Sequence, residues 1–129
     1  MTDVVKKKSK GPSPTQRTLA LCKKTGWTVQ VVEHWNSFAK IRQDLFGVID
    51  AVALDGVSII GIQATSGDNV SKRILKIREE PRAILWLKCG GRLFVHGWRK
   101  LVKSGRWECR EIELLLDSKT GEITEYVHD

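Results

Sequence analysis

The sequence predicts an α/β fold: a mixed β-sheet flanked by helices and finished by a C-terminal β-hairpin. Two helical segments with recognisable ends, over residues 14–25 and 69–78, bracket three strand-like stretches. A further apolar stretch and a hairpin pattern follow the second helix. Helices and strands therefore alternate, and that order favours a sheet covered by helices.

The first helix starts at Ser13-Pro14-Thr15-Gln16. Ser13 suits the N-cap, Pro14 the first helical position, and Gln16 can return a hydrogen bond to the cap. Leu19, Leu21 and Cys22 face inward, and Lys23 and Lys24 fill the last turn before Gly26. Residues 27–33 alternate enough for a half-buried strand, and 34–43 form a connection containing Trp35 and Phe38. Residues 46–54 are an apolar run broken only by Asp50. Asp55-Gly56 signals a two-residue hairpin turn, with 57–65 as the return strand. Asp68 is placed to cap the helix whose inner stripe is Val70, Ile74 and Ile77. Glu79-Glu80-Pro81 ends it. Residues 83–89 read as a buried central strand, and Gly90-Gly91 turns the chain into strands over 92–100, 107–116 and 123–127.

A chain of 129 residues suits one domain, here 13–129, after a basic tail over 1–12 that holds Lys6, Lys7, Lys8 and Lys10. Cys22, Cys89 and Cys109 are far apart, with no CxxC pair, and His34, His96 and His128 lack ligand spacing. Neither a disulfide framework nor a zinc knuckle is expected. No apolar run approaches the roughly 20 residues of a membrane span, and the lysine-rich start has no apolar stretch of a secretory signal. A cytoplasmic protein is the expectation. The net charge of +7 points to a polyanionic partner, since each phosphate contact releases counterions.

Asp50 is the most informative residue. A carboxylate inside an apolar strand is costly unless a cation, an arginine or a set of donors satisfies it. If Asp55 and Gly56 are the loop, Asp50 lies opposite Gly61, and Gly61, Gln63 and Thr65 share its face. Gly61 then leaves a gap in which an ion or water can sit. Asp44 falls on the same parity, and Glu33 ends the preceding strand near the same edge. Asp50, Gln63, Asp44 and Glu33 are thus candidate ligands for a hard cation, Mg²⁺ or Mn²⁺. The alternative is an Asp50 satisfied by Arg42, Arg73 or hydroxyl groups.

The sequence Gly47-Val48-Ile49-Asp50, a hairpin, then Ile62-Gln63-Ala64-Thr65 before a helix resembles the core of the PD-(D/E)XK, or restriction-endonuclease-like, nucleases. It is most similar to their Holliday-junction-resolvase-like and phage-type branches. The resemblance implies an αβββαβ core, metal-assisted hydrolysis of DNA phosphodiesters, and dimers acting on branched DNA in a prokaryotic or phage-infected cell. Asp50 takes the place of the metal-binding aspartate, Gln63 that of the second acid and Thr65 that of the lysine. The last two depart from the pattern: Gln63 adds no charge and Thr65 no cation. Lys72 or Arg73, one turn into the next helix, can stand in for the lysine, and Glu33 or Asp44 for the acid. Without such substitutes the same fold is a silent DNA-binding module.

Phosphate contacts are expected from Arg42, Arg73 and Lys76 near the carboxylate. Arg99, Lys100, Lys103 and Arg106, with Arg110, form a second basic cluster around the last hairpin. Trp35 and Trp98 are candidates for stacking on bases, Trp86 reads as core, and His96 as a strand-surface residue.

Overall fold

The computed structural model describes residues 11–128; most of the expected basic tail, and Asp129, lie outside the described residues. Helix α1 (Pro14–Thr25) begins at the expected capping box. The Ser13 hydroxyl oxygen accepts from the Gln16 N–H at 3.2 Å, and Gln16 Oε1 accepts from the Ser13 N–H at 2.9 Å. Gly26, at φ 94°, closes the helix in the left-handed conformation. Strand β1 (Thr28–Val31) follows.

Residues 34–43 are not a plain connection. They form a separate hairpin of β2 (His34–Asn36) and β3 (Ile41–Gln43), whose turn is held by Asn36 Oδ1 accepting from the Phe38 and Ala39 N–H groups. The strand expected over 46–54 is only β4 (Ala51–Leu54). Phe46 and Gly47 take left-handed φ values of 54° and 78°, so the chain turns back tightly from Leu45 to Ile49 before the strand begins. Strand β5 (Ile59–Ser66) pairs with β4 through a four-residue turn over 55–58. Asp55 Oδ1 accepts from the N–H groups of both Val57 and Ser58, which widens the hairpin beyond two residues. The register moves accordingly: Val52, not Asp50, lies opposite Gly61.

A single 3₁₀ turn over 67–69 leads into α2 (Val70–Arg78), with Asn69 and not Asp68 in the cap position. The largest correction is α3 (Pro81–Lys88), which replaces the strand expected over 83–89. A short continuous apolar run does not distinguish a buried strand from a helix by pattern alone. Here the flanks decide: Pro81 occupies the first turn, and the Glu80 carboxylate accepts from the Arg82 N–H at 3.1 Å. Trp86 is half-buried, its indole N–H donating to the Arg92 carbonyl at 2.8 Å. Strands β6 (Arg92–Lys100), β7 (Trp107–Leu116) and β8 (Ile123–His128) complete the chain.

The main sheet runs β1-β4-β5-β6-β7-β8. Its neighbours are antiparallel except β5 and β6, which are parallel and joined by the α2–α3 crossover. The α/β class is therefore as expected. One face carries Ala53, Ile60, Ile62 and Phe94 with Cys22 of α1. The other packs Leu93, Val95, Ile112 and Leu114 against Ile74 and Ile77 of α2 and Ala83 of α3. Among the described residues no helix is long and apolar enough to cross a membrane.

The last three strands are stitched by one buried carboxylate. Glu113 accepts two hydrogen bonds from Arg92, at 2.8 and 2.7 Å, and one from His128 at 2.9 Å. The Arg92 contact, foremost, holds its carboxyl below the usual range. An acid with a lowered folded pKa contributes stability above its unfolded pKa and loses it as pH falls through the folded value. Glu113→Gln should cost about 1–3 kcal/mol at pH 7 in urea unfolding, and the difference from the wild type should shrink towards pH 3.

Candidate metal and phosphate site

Three elements bring the expected acids together. The tight turn at 45–49 returns the chain so that Asp44, just before it, and Asp50, just after it, lie side by side. Glu33 joins them because its backbone N–H, like that of Val32, donates to the Asp50 carbonyl where β1 meets the start of β4. One carboxylate oxygen from each of Glu33, Asp44 and Asp50 lies within 4.8 Å of the others. The expectation that Asp44 continues the strand parity of Asp50 is corrected. It arrives by the turn instead.

Asp50 is 5% exposed and Gln63 1%, so both lie deeper than the open sheet face that was expected. Asp50 Oδ2 accepts from Gln63 Nε2 at 2.8 Å and from the Ala64 N–H at 2.8 Å. Gln63 Nε2 also reaches Asp44 Oδ2 at 3.3 Å. Burial, then hydrogen bonding to Asp44 and repulsion by its charge, pushes the Asp50 carboxyl up to about 7, against the lowering by Ala64 and Gln63. The Gln63 Oε1 atom is buried and has no hydrogen-bond partner among the described residues.

The gap expected at Gly61 is filled. A Cβ there would lie 2.8 Å from Ile49 Cδ1 and 3.2 Å from Trp86 Cζ2, so these side chains occupy the space intended for an ion. Thr65, like Asp50 and Gln63, is buried, and it is paired in register with Gly97.

The cleft has a volume near 430 Å³ and is walled by Asp44, His34 and Arg42 from one side and Lys76, Glu80 and Arg82 from the helices. Arg82 forks onto Glu80 at 2.9 and 3.0 Å. Lys72 and Arg73 instead border a separate shallow groove with Asn69 and Lys76. Lys76 is the helix cation common to both concavities. Of the two stand-ins expected for the missing lysine, neither lines the acid cleft, whereas Lys76, expected only as a phosphate contact, does. Arg82 was missed because its segment reads as a strand.

The second basic cluster lies elsewhere. Strand β5 ends at Ser66 beside Trp98, so residues beyond 98 extend past that end of the sheet. Lys100, Lys103 and Arg106 are exposed there, while Arg99 pairs with Glu108 at 3.1 Å. Trp35 is exposed, as base stacking requires. Trp98 is not available for stacking: it is buried and donates to Thr18 Oγ1 at 2.9 Å. His96 is also buried rather than on the strand surface.

The acid set suits a hard dication. Such an ion wants oxygen ligands about 2.1 Å away, hence about 3 Å apart, and takes one or two carboxylates with several waters. Asp44 and Asp50 offer the carboxylates, Glu33 a third. The unpartnered Gln63 oxygen offers a neutral ligand once the amide turns. Comparison with protein-family models, with curated proteins and with solved structures finds no match for this chain.

Proposed function

We propose that this chain is a metal-dependent DNA endonuclease of the PD-(D/E)XK type, resolvase-like, acting in the cytoplasm of a prokaryotic or phage-infected cell. The observation that carries the reading is the convergence of Glu33, Asp44 and Asp50, of which Asp44 lines a cleft also bordered by Arg42, Lys76 and Arg82. Asp44 and Asp50, with Gln63, would hold Mg²⁺ or Mn²⁺. When bound, the ion supplies Lewis acidity that lowers the pKa of a water and neutralises charge on the scissile phosphate.

The chain's own groups do the remaining work. The Ala64 N–H fixes the Asp50 carboxylate in place. Lys76 and Arg42 flank the cleft as cations for the phosphate oxygens, where developing charge needs stabilisation. The basic turn at 100–106 offers a further backbone contact without reading bases. Lys76→Met should lower the cleavage rate at least about tenfold, whereas Lys72→Met should change it less than about threefold, in single-turnover assays.

A silent DNA-binding module is the second reading. Gln63 in the second-acid position favours it, because Asp50 already has two protein donors without any ion. Incubating the protein with linear and branched DNA and Mg²⁺ or Mn²⁺, against Asp50→Ala, separates the two. Cleavage lost in the variant supports the nuclease. Binding without cleavage supports the module, and cleavage that persists in the variant removes Asp50 from the chemistry.

A further inference from the structure

We propose that His96, Cys109 and Glu111 form a second metal centre, selective for Zn²⁺-class dications, on the face of the sheet opposite the carboxylate cluster. The register of β6 and β7 creates it. His96 lies directly opposite Glu111, and Trp98 opposite Cys109. Opposed residues share a face, and so do residues two apart on one strand, so all four project together. That face is covered by α1, since Thr18 touches both His96 and Trp98. Gln63 and its register partner Val95 point the other way, towards α2 and α3. The two centres are therefore separated by the sheet.

One imidazole nitrogen, the thiol sulfur and one carboxylate oxygen of the triad lie within 4.8 Å of one another. A tetrahedral ion with bonds of about 2.0–2.3 Å needs its ligands about 3.3–3.8 Å apart, so the side chains need to close by roughly 1 Å. The imidazole is already oriented. Its Nδ1 lies 3.0 Å from Thr18 Oγ1, and the same oxygen accepts from the Trp98 indole N–H at 2.9 Å. Thr18 can accept from His96 Nδ1–H as well, using its second lone pair. His96 Nε2 faces the Glu111 carboxylate 3.5 Å away, longer than an ordinary hydrogen bond. An ion bound there would take the Nε2 lone pair, with the ring proton on Nδ1 beside Thr18 Oγ1. Outer-shell donors that fix the imidazole in this way recur in metal sites.

The donor set decides the class of ion. Nitrogen, thiolate and carboxylate together suit Zn²⁺ or Co²⁺ and do not suit Mg²⁺. Burial, reinforced by Glu111, holds the Cys109 thiol protonated, and burial keeps His96 neutral by lowering its pKa to about 4. Binding thus forms a metal–sulfur bond as the thiol proton leaves to solvent, with no change of oxidation state. Cys109 and Glu111 also line a cavity near 590 Å³ shared with Trp107 and Arg17, which stacks over the Trp107 ring at 3.8 Å. The fourth position therefore faces space for a water or an anion, the pattern of open rather than closed zinc sites. His128 is not part of the group whose ligand atoms lie within 4.8 Å of one another, and its Nε2 is engaged by Glu113 at 2.9 Å.

The full chain, stripped with chelator, should be titrated with Co²⁺ while its absorption is recorded, then competed with Zn²⁺. One equivalent should produce intense tetrahedral visible bands and a thiolate-to-cobalt charge-transfer band, both erased by Zn²⁺. Cys109→Ser should abolish the charge-transfer band. Glu111→Gln, a half-exposed position, should weaken Co²⁺ binding at least about tenfold. Cys89→Ser and Asp50→Asn should leave the band intact. Zn²⁺ should raise the melting temperature of the wild type and not that of Cys109→Ser. A charge-transfer band that survives Cys109→Ser or disappears in Cys89→Ser overturns the proposal. So does a folded wild type that gains neither bands nor melting temperature at micromolar metal.

Discussion

Asp50→Asn should make the protein more stable at pH 8 while abolishing cleavage. The asparagine oxygen can keep both hydrogen bonds now accepted by Oδ2, from Gln63 and Ala64. Its amide can donate to Asp44, whose hydrogen bond and charge now act on the Asp50 carboxyl. Removing a buried charge that lacks a counter-ion is commonly neutral or stabilising. The pH dependence follows from the raised pKa. An acid whose folded pKa lies above its unfolded value binds the extra proton in the folded state between the two. Stability tied to that proton is fully present below about pH 4 and is lost as pH rises through about 7. Wild-type stability should therefore fall between pH 5 and pH 8 by a contribution of order 2–3 kcal/mol, and Asp50→Asn should lack that slope. Urea unfolding at pH 5 and pH 8 measures both. A variant less stable than the wild type at pH 8 would contradict the description of Asp50 as an uncompensated charge.

Gly97→Val should destabilise the protein by about 3 kcal/mol or more, through the helix that carries Lys76. Gly97 sits in β6 opposite Thr65, and a Cβ added there would lie 2.4 Å from Val70 Cγ2 and 3.6 Å from Gly67 Cα. Val70 opens α2 and has a stiff branched side chain, so it cannot swing clear without moving the helix. Val70→Ala should remove much of the clash. The double variant should therefore lose clearly less stability than the two single losses summed, as contacting sites do. Strict additivity in thermal or urea unfolding would show that the close approach of α2 to the sheet is not the cause.

Much of the architecture is legible where local chemistry is explicit. The Ser13-to-Gln16 box, Gly26 and the Val70–Ile74–Ile77 stripe each determine a helix end or face from neighbouring residues alone. The parity of Asp50 and Gln63 is also legible, because widening the turn by two residues leaves every side chain on its original face. What the sequence conceals depends on contacts distant along the chain. The apolar segment Ile84–Leu87 fits either a strand or a helix, and only its flanking Glu80-Pro81 cap separates them. Phe46 in the left-handed region is unusual for a bulky residue, so nothing local announces the turn that swings Asp44 onto Asp50. The meeting of His96, Cys109 and Glu111 depends on the pairing of two strands, which no spacing of histidines and cysteines reveals. Arg82 could be found only after its segment was known to be helical.

Nuclease chemistry at this site requires a hard cation held by the acids around Asp50. Electron paramagnetic resonance of Mn²⁺ added to the full chain at pH 8 measures this most directly, since binding depletes the free-ion signal. One site per chain should appear in the wild type, be displaced by excess Mg²⁺, and vanish in Asp50→Asn with the fold intact. Equal Mn²⁺ binding by the wild type and the variant, or none by either, would contradict it.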